Sequence, residues 1–278
     1  MPFRQAFVIT TEPLRILSWD KSRIALQVVS IPSDILISGA FGYGQYSLVA
    51  MRTLDTMDHK NGQLLSESVA QAVGVPITGT IITESQSSDR PVLESLKKIF
   101  SWRSIGVRIV GRIGTTVSLS DWIHLVFMVH ALGTDDIEVL NLTSAVNDLV
   151  RPDGTTVHVL DSEKVDYIVG NTLHDARLRN ENKTVTIINT TMVFGIGSKV
   201  ARMINRFGIQ VVSVGNEAQA ITHCELATDN RTRSSLTYKF LKVYFKCRDT
   251  DVAGDSAVSD ITIRLGSSIA ELFDTRGE

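Results

Sequence analysis

Three residues near the start of the chain have the types and surroundings to meet a ligand. Asp34 closes the run Ile31-Pro32-Ser33-Asp34 at the end of a long β-rich stretch. A carboxylate where a strand leaves its sheet is well placed to face a ligand cleft in an α/β fold. The competing reading is a turn residue whose side chain bonds nearby backbone N–H groups. Tyr43 follows, framed by Gly42 and Gly44. Glycines there let the main chain approach a ligand closely, or they simply form a surface loop. Arg52 offers a guanidinium, the group best shaped to hold phosphate oxygens. Asp34, Tyr43 and Arg52 are therefore taken as the substrate-binding residues, and no residue is assigned a catalytic role.

A second place for anion chemistry is Phe194-Gly195-Ile196-Gly197-Ser198-Lys199. It follows a predicted strand and opens a predicted helix, where free N–H groups and the helix dipole favour an anion. The third glycine of a dinucleotide fingerprint is replaced by Val200, and no Gly-Lys-Ser/Thr is present. A tight strand-to-helix turn is the simpler reading. The six histidines are scattered, with no HExxH and no pair one helical turn apart, so no metal site is expected. Cys224 and Cys247 lack a CxxC spacing. Two buried free thiols are expected; a single disulfide is the alternative in an exported protein. No serine is framed as GxSxG.

These residues need elements to position them. With 278 residues, 43% hydrophobic and 21% charged, the chain has ample material for one large or two smaller cores. A net charge of -2 and the lack of aromatics interleaved with Arg103, Arg108 and Arg112 speak against a nucleic-acid partner. The N-terminal apolar run is too short for a signal peptide, and Trp122–Leu132 is too short to span a bilayer. The chain as given is expected to be soluble.

Strands are predicted at Ala6–Thr10, Leu14–Trp19 and Arg23–Ile31, with a turn at Asp20-Lys21-Ser22. Ser47 and Asn61 are set to cap two helices, the second stopped by Gly74 and Pro76. Ile77–Thr83 reads as a strand, and residues 84–90 as a polar loop. Pro91 opens another helix, and Ser118-x-x-Asp121 opens one that buries Trp122, Leu125, Val126 and Val129. Ile137–Leu142 is a strand. Ala145–Val150 and Thr156–Leu160 form a hairpin about Pro152-Asp153-Gly154-Thr155, and Ser162–Leu173 is helical. The charged stretch His174–Lys183 marks a boundary between residues 1–178 and residues 184–278. The second part reads β-α-β-β-α-β, with two helices on one face of a four-stranded sheet.

Several of these runs resemble the LytR-CpsA-Psr family. Val28–Asp34, VVSIPSD, is similar to that family's strand ending in I-P-R-D. Gln63–Ile81 resembles the helix and G-I-P-I segment that follow, and Val150–Thr155 the family's L-P-D-G turn. Val185–Asn216 is the fullest match. It resembles the C-terminal domain that runs V-x-V-x-N-x-T, then G-x-A-x-x-V-A, then G-x-x-V-x-x-V-G. Asp260–Gly266 fits that domain's closing strand. The resemblance implies a LytR-type α/β sandwich domain followed by a small β-α-β-β-α-β domain. It also implies attachment of glycopolymer from polyprenyl pyrophosphate to the cell wall, outside the cytoplasmic membrane.

The chain departs from the family where the chemistry sits. The arginine of I-P-R-D is Ser33, and the family's R-S-D-T is replaced by Arg15-Ile16-Leu17-Ser18-Trp19-Asp20. The expectation is therefore a cell-envelope protein that binds a lipid-linked or phosphorylated glycan, a cell-wall polymer or an envelope partner, and is non-catalytic. No cofactor is expected, with Mg²⁺ required only by an active enzyme. One alternative is an active phosphotransferase whose site is rebuilt around Asp34 and Arg52. Another is a cytoplasmic nucleotide- or phosphate-binding protein that uses Gly195–Lys199, favoured by the missing export signal.

Overall fold

A computed structural model of the chain describes residues 4–20, 25–83, 91–109, 114–170, 172–250 and 259–273. The expected polar loop at 84–90, Arg112 and most of the turn after Trp19 lie outside these residues.

Three antiparallel strands open the structure: β1 (Gln5–Ile9), β2 (Leu14–Asp20) and β3 (Ala25–Ile31). A short hairpin follows, β4 (Leu36–Ser38) with β5 (Gln45–Ser47). Next come α1 (Leu48–Met57), α2 (Gln63–Val73) and β6 (Gly79–Ile81). Helices α3 (Val92–Ile99), α4 (Trp102–Ile109) and α5 (Leu119–Ala131) precede β7 (Ile137–Asn141). The hairpin β8 (Val146–Val150) and β9 (Thr156–Leu160) leads into α6 (Ser162–Val169) and α7 (Ala176–Glu181). The last part runs β10 (Thr184–Asn189), α8 (Ile196–Arg206), β11 (Gln210–Asn216), β12 (Glu225–Thr228) and α9 (Leu236–Tyr244). It closes with β13 (Arg248–Asp249), β14 (Ile261–Leu265) and α10 (Ser267–Phe273).

The strands form three sheets, ordered β6-β1-β2-β3-β7, β5-β4-β9-β8 and β11-β10-β14-β12-β13. The strands β1, β2 and β3 of the first sheet are largely buried on both faces, while the edge strand β7 is mostly exposed. Side chains alternate along a strand, so Ala6 and Val8 enter one core while Phe7 and Ile9 enter another. The second core is covered by α3, α4 and α5 around a fully buried Trp122. Its indole N–H would be costly to bury alone, and it donates to Ser104 Oγ of α4 at 3.1 Å. The architecture is thus mixed α/β, as the sequence suggested, and helices lie on both faces of the central sheet.

Local chemistry explains most element boundaries. Ser47 accepts from Ala50 N at 3.2 Å and starts α1; Ser118 accepts from Asp121 N at 3.1 Å and starts α5. The start of α2 corrects the sequence reading. Asn61 does not cap it; the cap is Gly62 at φ +86, and the free amides are met by Asp55 of α1. Asp55 is buried and accepts from Gly62 N at 2.5 Å and Leu65 N at 2.9 Å.

The described residues from 184 on carry the β-α-β-β-α-β order, with β13 added as a fifth strand of the sheet and α10 following β14. Val200, Ile204, Phe207, Phe240 and Leu241 are buried, and the rings of Phe207 and Phe240 stack at 4.9 Å. The charged stretch before this part is no open linker. It folds as α7, with Leu178 and Asp175 buried, because Asp175 accepts from Arg4 N at 2.8 Å and Arg177 N at 2.9 Å. One apolar core runs without a break from β1 to α10. Cys224 and Cys247 are joined in a disulfide, the alternative reading rather than two free thiols.

Candidate functional site

The residues singled out in the sequence are held by three different sets of neighbours. Asp34, in the turn after β3, is exposed, and its Oδ2 lies 3.9 Å from His158 Nε2. His158 sits on β9, and its Nδ1 is 2.7 Å from Asp148 Oδ1 on β8. Asp34 is thus a surface carboxylate facing an imidazole that a second carboxylate orients. His158 carried no sequence signal, since nothing in its spacing links it to Asp34; only the parallel register of β4 with β9 does so.

Tyr43 donates its hydroxyl to Asp58, in the turn at the end of α1. That bond holds the phenol above its ordinary pKa, aided by burial and by the charges of Asp58 and Asp55. Arg52, on α1, spends its guanidinium on two main-chain carbonyls, Thr10 O at 3.2 Å and Thr83 O at 2.9 Å. These lie just past β1 and β6, so Arg52 ties α1 to the end of the sheet.

Arg52 and Ser33 line one recess with Thr10, Thr11 and Glu12, but it holds only about 30 Å³. Ligand pockets are typically some ten times larger, about 300 Å³ or more. The donor set is also poor for Mg²⁺, which takes one or two carboxylates together with substrate phosphates. Glu12 is the one carboxylate lining the recess, and the Thr10 and Thr11 hydroxyls donate to Thr83 O and Pro13 O. Among the described residues, no group of three His, Cys, Asp or Glu side chains is arranged to hold a metal.

A larger groove starts two residues past Asp34. It holds about 500 Å³ and is walled by Leu36 of β4, Val159 and Leu160 of β9, Asp166 of α6, and Lys199 and Arg202 of α8. One side is apolar, and the other carries charges of both signs: Lys199 and Arg202 beside Glu163 and Asp166, with Arg202 paired to Asp166. Lys199 belongs to the glycine-rich loop noted in the sequence. Gly195 there has φ +74, and a Cβ on Gly197 would lie 2.6 Å from Val214 Cγ1. Both glycines are thus explained by the turn and by helix-on-strand packing.

Fold and groove together define a mixed α/β protein with an amphipathic groove edged by charges of both signs. No protein-family profile matches the chain, and no curated protein matches it. Solved structures do. One is the transcriptional regulator yvhJ from Bacillus subtilis, at 12% identity over 60% of this chain and 94% of that one, with a TM-score of 0.44. Another is the LytR-CPS2A-psr family protein YwtF (TagT) with bound octaprenyl pyrophosphate lipid, at 13% identity over 60% and 87%, TM-score 0.40. A third is Lin1025 from Listeria innocua, at 13% identity over 60% and 97%, TM-score 0.42. Overlap at this level leaves the chemistry of this chain to be argued from its own residues. No helix among the described residues is long and apolar enough to cross a membrane.

Proposed function

We propose that this protein belongs to the cell envelope and binds a lipid-linked or phosphorylated glycan without transferring it. The observation that carries the reading is Arg52. Transfer from a pyrophosphate needs free cationic groups aimed at the charge that develops on the leaving group. The guanidinium of Arg52 is instead bonded to the carbonyls of Thr10 and Thr83. Its neighbour in the recess is Ser33, at the position where the resembling motif has arginine. Asp34 is exposed, with His158 Nε2 3.9 Å away as its facing group.

Binding is a softer demand, and the groove beside Asp34 supplies it. Its apolar wall suits a hydrocarbon or the flat face of a sugar, and Lys199 suits phosphate. The Cys224–Cys247 disulfide supports an oxidising compartment outside the cytoplasm. The motifs at Val28–Asp34 and Val185–Asn216 support the envelope setting. The test is direct binding of a polyprenyl-pyrophosphate-linked oligosaccharide. Lys199→Ala is expected to weaken it by about tenfold, the scale of one charge-assisted hydrogen bond. Unchanged affinity in that variant would remove the groove from the account.

A further inference from the structure

A second cleft lies at the other end of the central sheet, between α2 and α9. It holds about 460 Å³, within the range of small-molecule sites. Its walls come from distant parts of the chain: Ile77 just before β6, Glu67 of α2, and Phe240, Val243 and Tyr244 of α9. Lys60 and Lys246 stand on its lining as well.

Two groups in this cleft are left in states that the fold does not need. The Tyr244 hydroxyl is shielded from solvent and has no partner at hydrogen-bonding geometry. It faces the Glu67 carboxyl and the backbone of Ile77. Glu67 has no hydrogen bond or ion pair among the described residues, and Lys246 is the cation whose charge reaches it. Burial raises the Glu67 carboxyl to about 7. A shielded hydroxyl and a half-buried carboxyl without partners each cost stability, and a phenylalanine at Tyr244 or a leucine at Glu67 would avoid that cost. Each would gain its missing partner from a ligand that brings a hydrogen-bond donor to this depth.

The lining also states what else the ligand must carry. The inner acid asks for a cation or a strong donor. The two lysines ask for an anion, and Phe240, Val243 and Ile77 ask for an apolar body between them. We propose that this cleft is a binding site for a small zwitterionic amphipath, of amino-acid to dipeptide size, with its amine at Glu67 and Tyr244 and its acid group at Lys60 and Lys246. The site is separate from the groove beside Asp34 and does not depend on what that groove holds.

The experiment uses the full chain and three probes: phenylalanine, phenethylamine, which lacks the acid, and 3-phenylpropionate, which lacks the amine. Binding is followed by calorimetry and by NMR shifts at α2 and α9. Phenylalanine is expected to saturate with Kd of about 1 mM or tighter. Each single-charge analogue is expected to bind about tenfold more weakly. Glu67→Gln should abolish the advantage over 3-phenylpropionate, and Lys246→Gln the advantage over phenethylamine. Tyr244→Phe keeps the ring and should weaken all amine-bearing probes. No saturable binding of phenylalanine would overturn the proposal. So would equal affinity for the three probes, or shifts that cluster away from α2 and α9.

Discussion

Arg202 closes on Asp166, with Nε 2.9 Å from Oδ1, and its Nη1 reaches the Gln71 and Ala72 carbonyls at the end of α2 at 3.4 Å. One side chain thus ties α8 to two helices of the first part of the chain. Arg206, buried one turn on, pairs with the same carboxylate. Removing Asp166 would leave two cations facing each other without an anion. Asp166→Asn is expected to lower stability by about 1–3 kcal/mol, kept modest because the carboxylate is 45% exposed. The check is a shift in the urea midpoint at unchanged slope. A midpoint within error of the parent would show that the clasp contributes nothing.

Asp175 gives the fold an acid-sensitive joint. Burial alone would raise its carboxyl, but the hydrogen bonds from Arg177 and from the Arg4 amide outweigh that and hold it below the ordinary value. A carboxyl depressed in the folded state stabilises above its unfolded pKa, and the gain is lost as pH falls through the folded one. Asp175→Asn is therefore expected to be destabilised at neutral pH, and to approach the parent as both are taken into acid. Thermal melts from pH 7 down to about 3 measure this. A constant difference across that range would contradict the linkage.

Glu67 has the opposite sign. Its folded value is raised to about 7 from 4.5, so the ionised form is disfavoured by the fold. Stability is lost as pH rises between those two values and stays lost above them. Lys246 opposes the effect, and Tyr244 is the other titratable group facing it. Glu67→Gln is expected to raise the melting temperature at pH 8 and to change it little at pH 4.5. Equal effects at the two pH values would refute a titrating carboxyl at this position.

The Cys224–Cys247 bond closes a loop of sequence separation 23. A loop of that length stabilises by about 3 kcal/mol through restriction of the unfolded chain. Reduction, or the paired Cys→Ser change, should lower stability by about that amount while the folded spectrum is retained. Unchanged stability in reductant would indicate that the bridge is not formed in solution.

What the sequence revealed was what is local. Ser47, Ser118 and Pro91 mark helix starts because a cap is a matter of a few neighbouring residues, and the α5 core face follows from helical spacing. The start of α2 differs from the sequence reading because the carboxylate that meets its free amides, Asp55, reaches in from another helix. His174–Lys183 looks like a linker by charge, yet its buried Asp175 is satisfied by Arg4, 171 positions away. Strand β13 and helix α10 were missed; β13 has two residues, too few for any periodic signal. Asp34, Tyr43 and Arg52 are close in sequence, and that closeness suggested one site. The hairpin and α1 send them instead to His158, Asp58 and the sheet carbonyls. His158 and Glu67 escaped notice because their meaning lies in neighbours far along the chain.

The central claim is binding without transfer, and turnover tests it most directly. Purified protein is incubated with a polyprenyl-pyrophosphate-linked oligosaccharide, an acceptor wall polymer and Mg²⁺, and released polyprenyl phosphate is measured over time. Losing one preorganised contact to a developing charge typically costs about 10²–10³ in rate, and here Ser33 and the committed Arg52 remove more than one. The expected result is donor binding with release no faster than the protein-free control. Release well above that control, abolished by Asp34→Ala, would contradict the account and make this chain an active phosphotransferase.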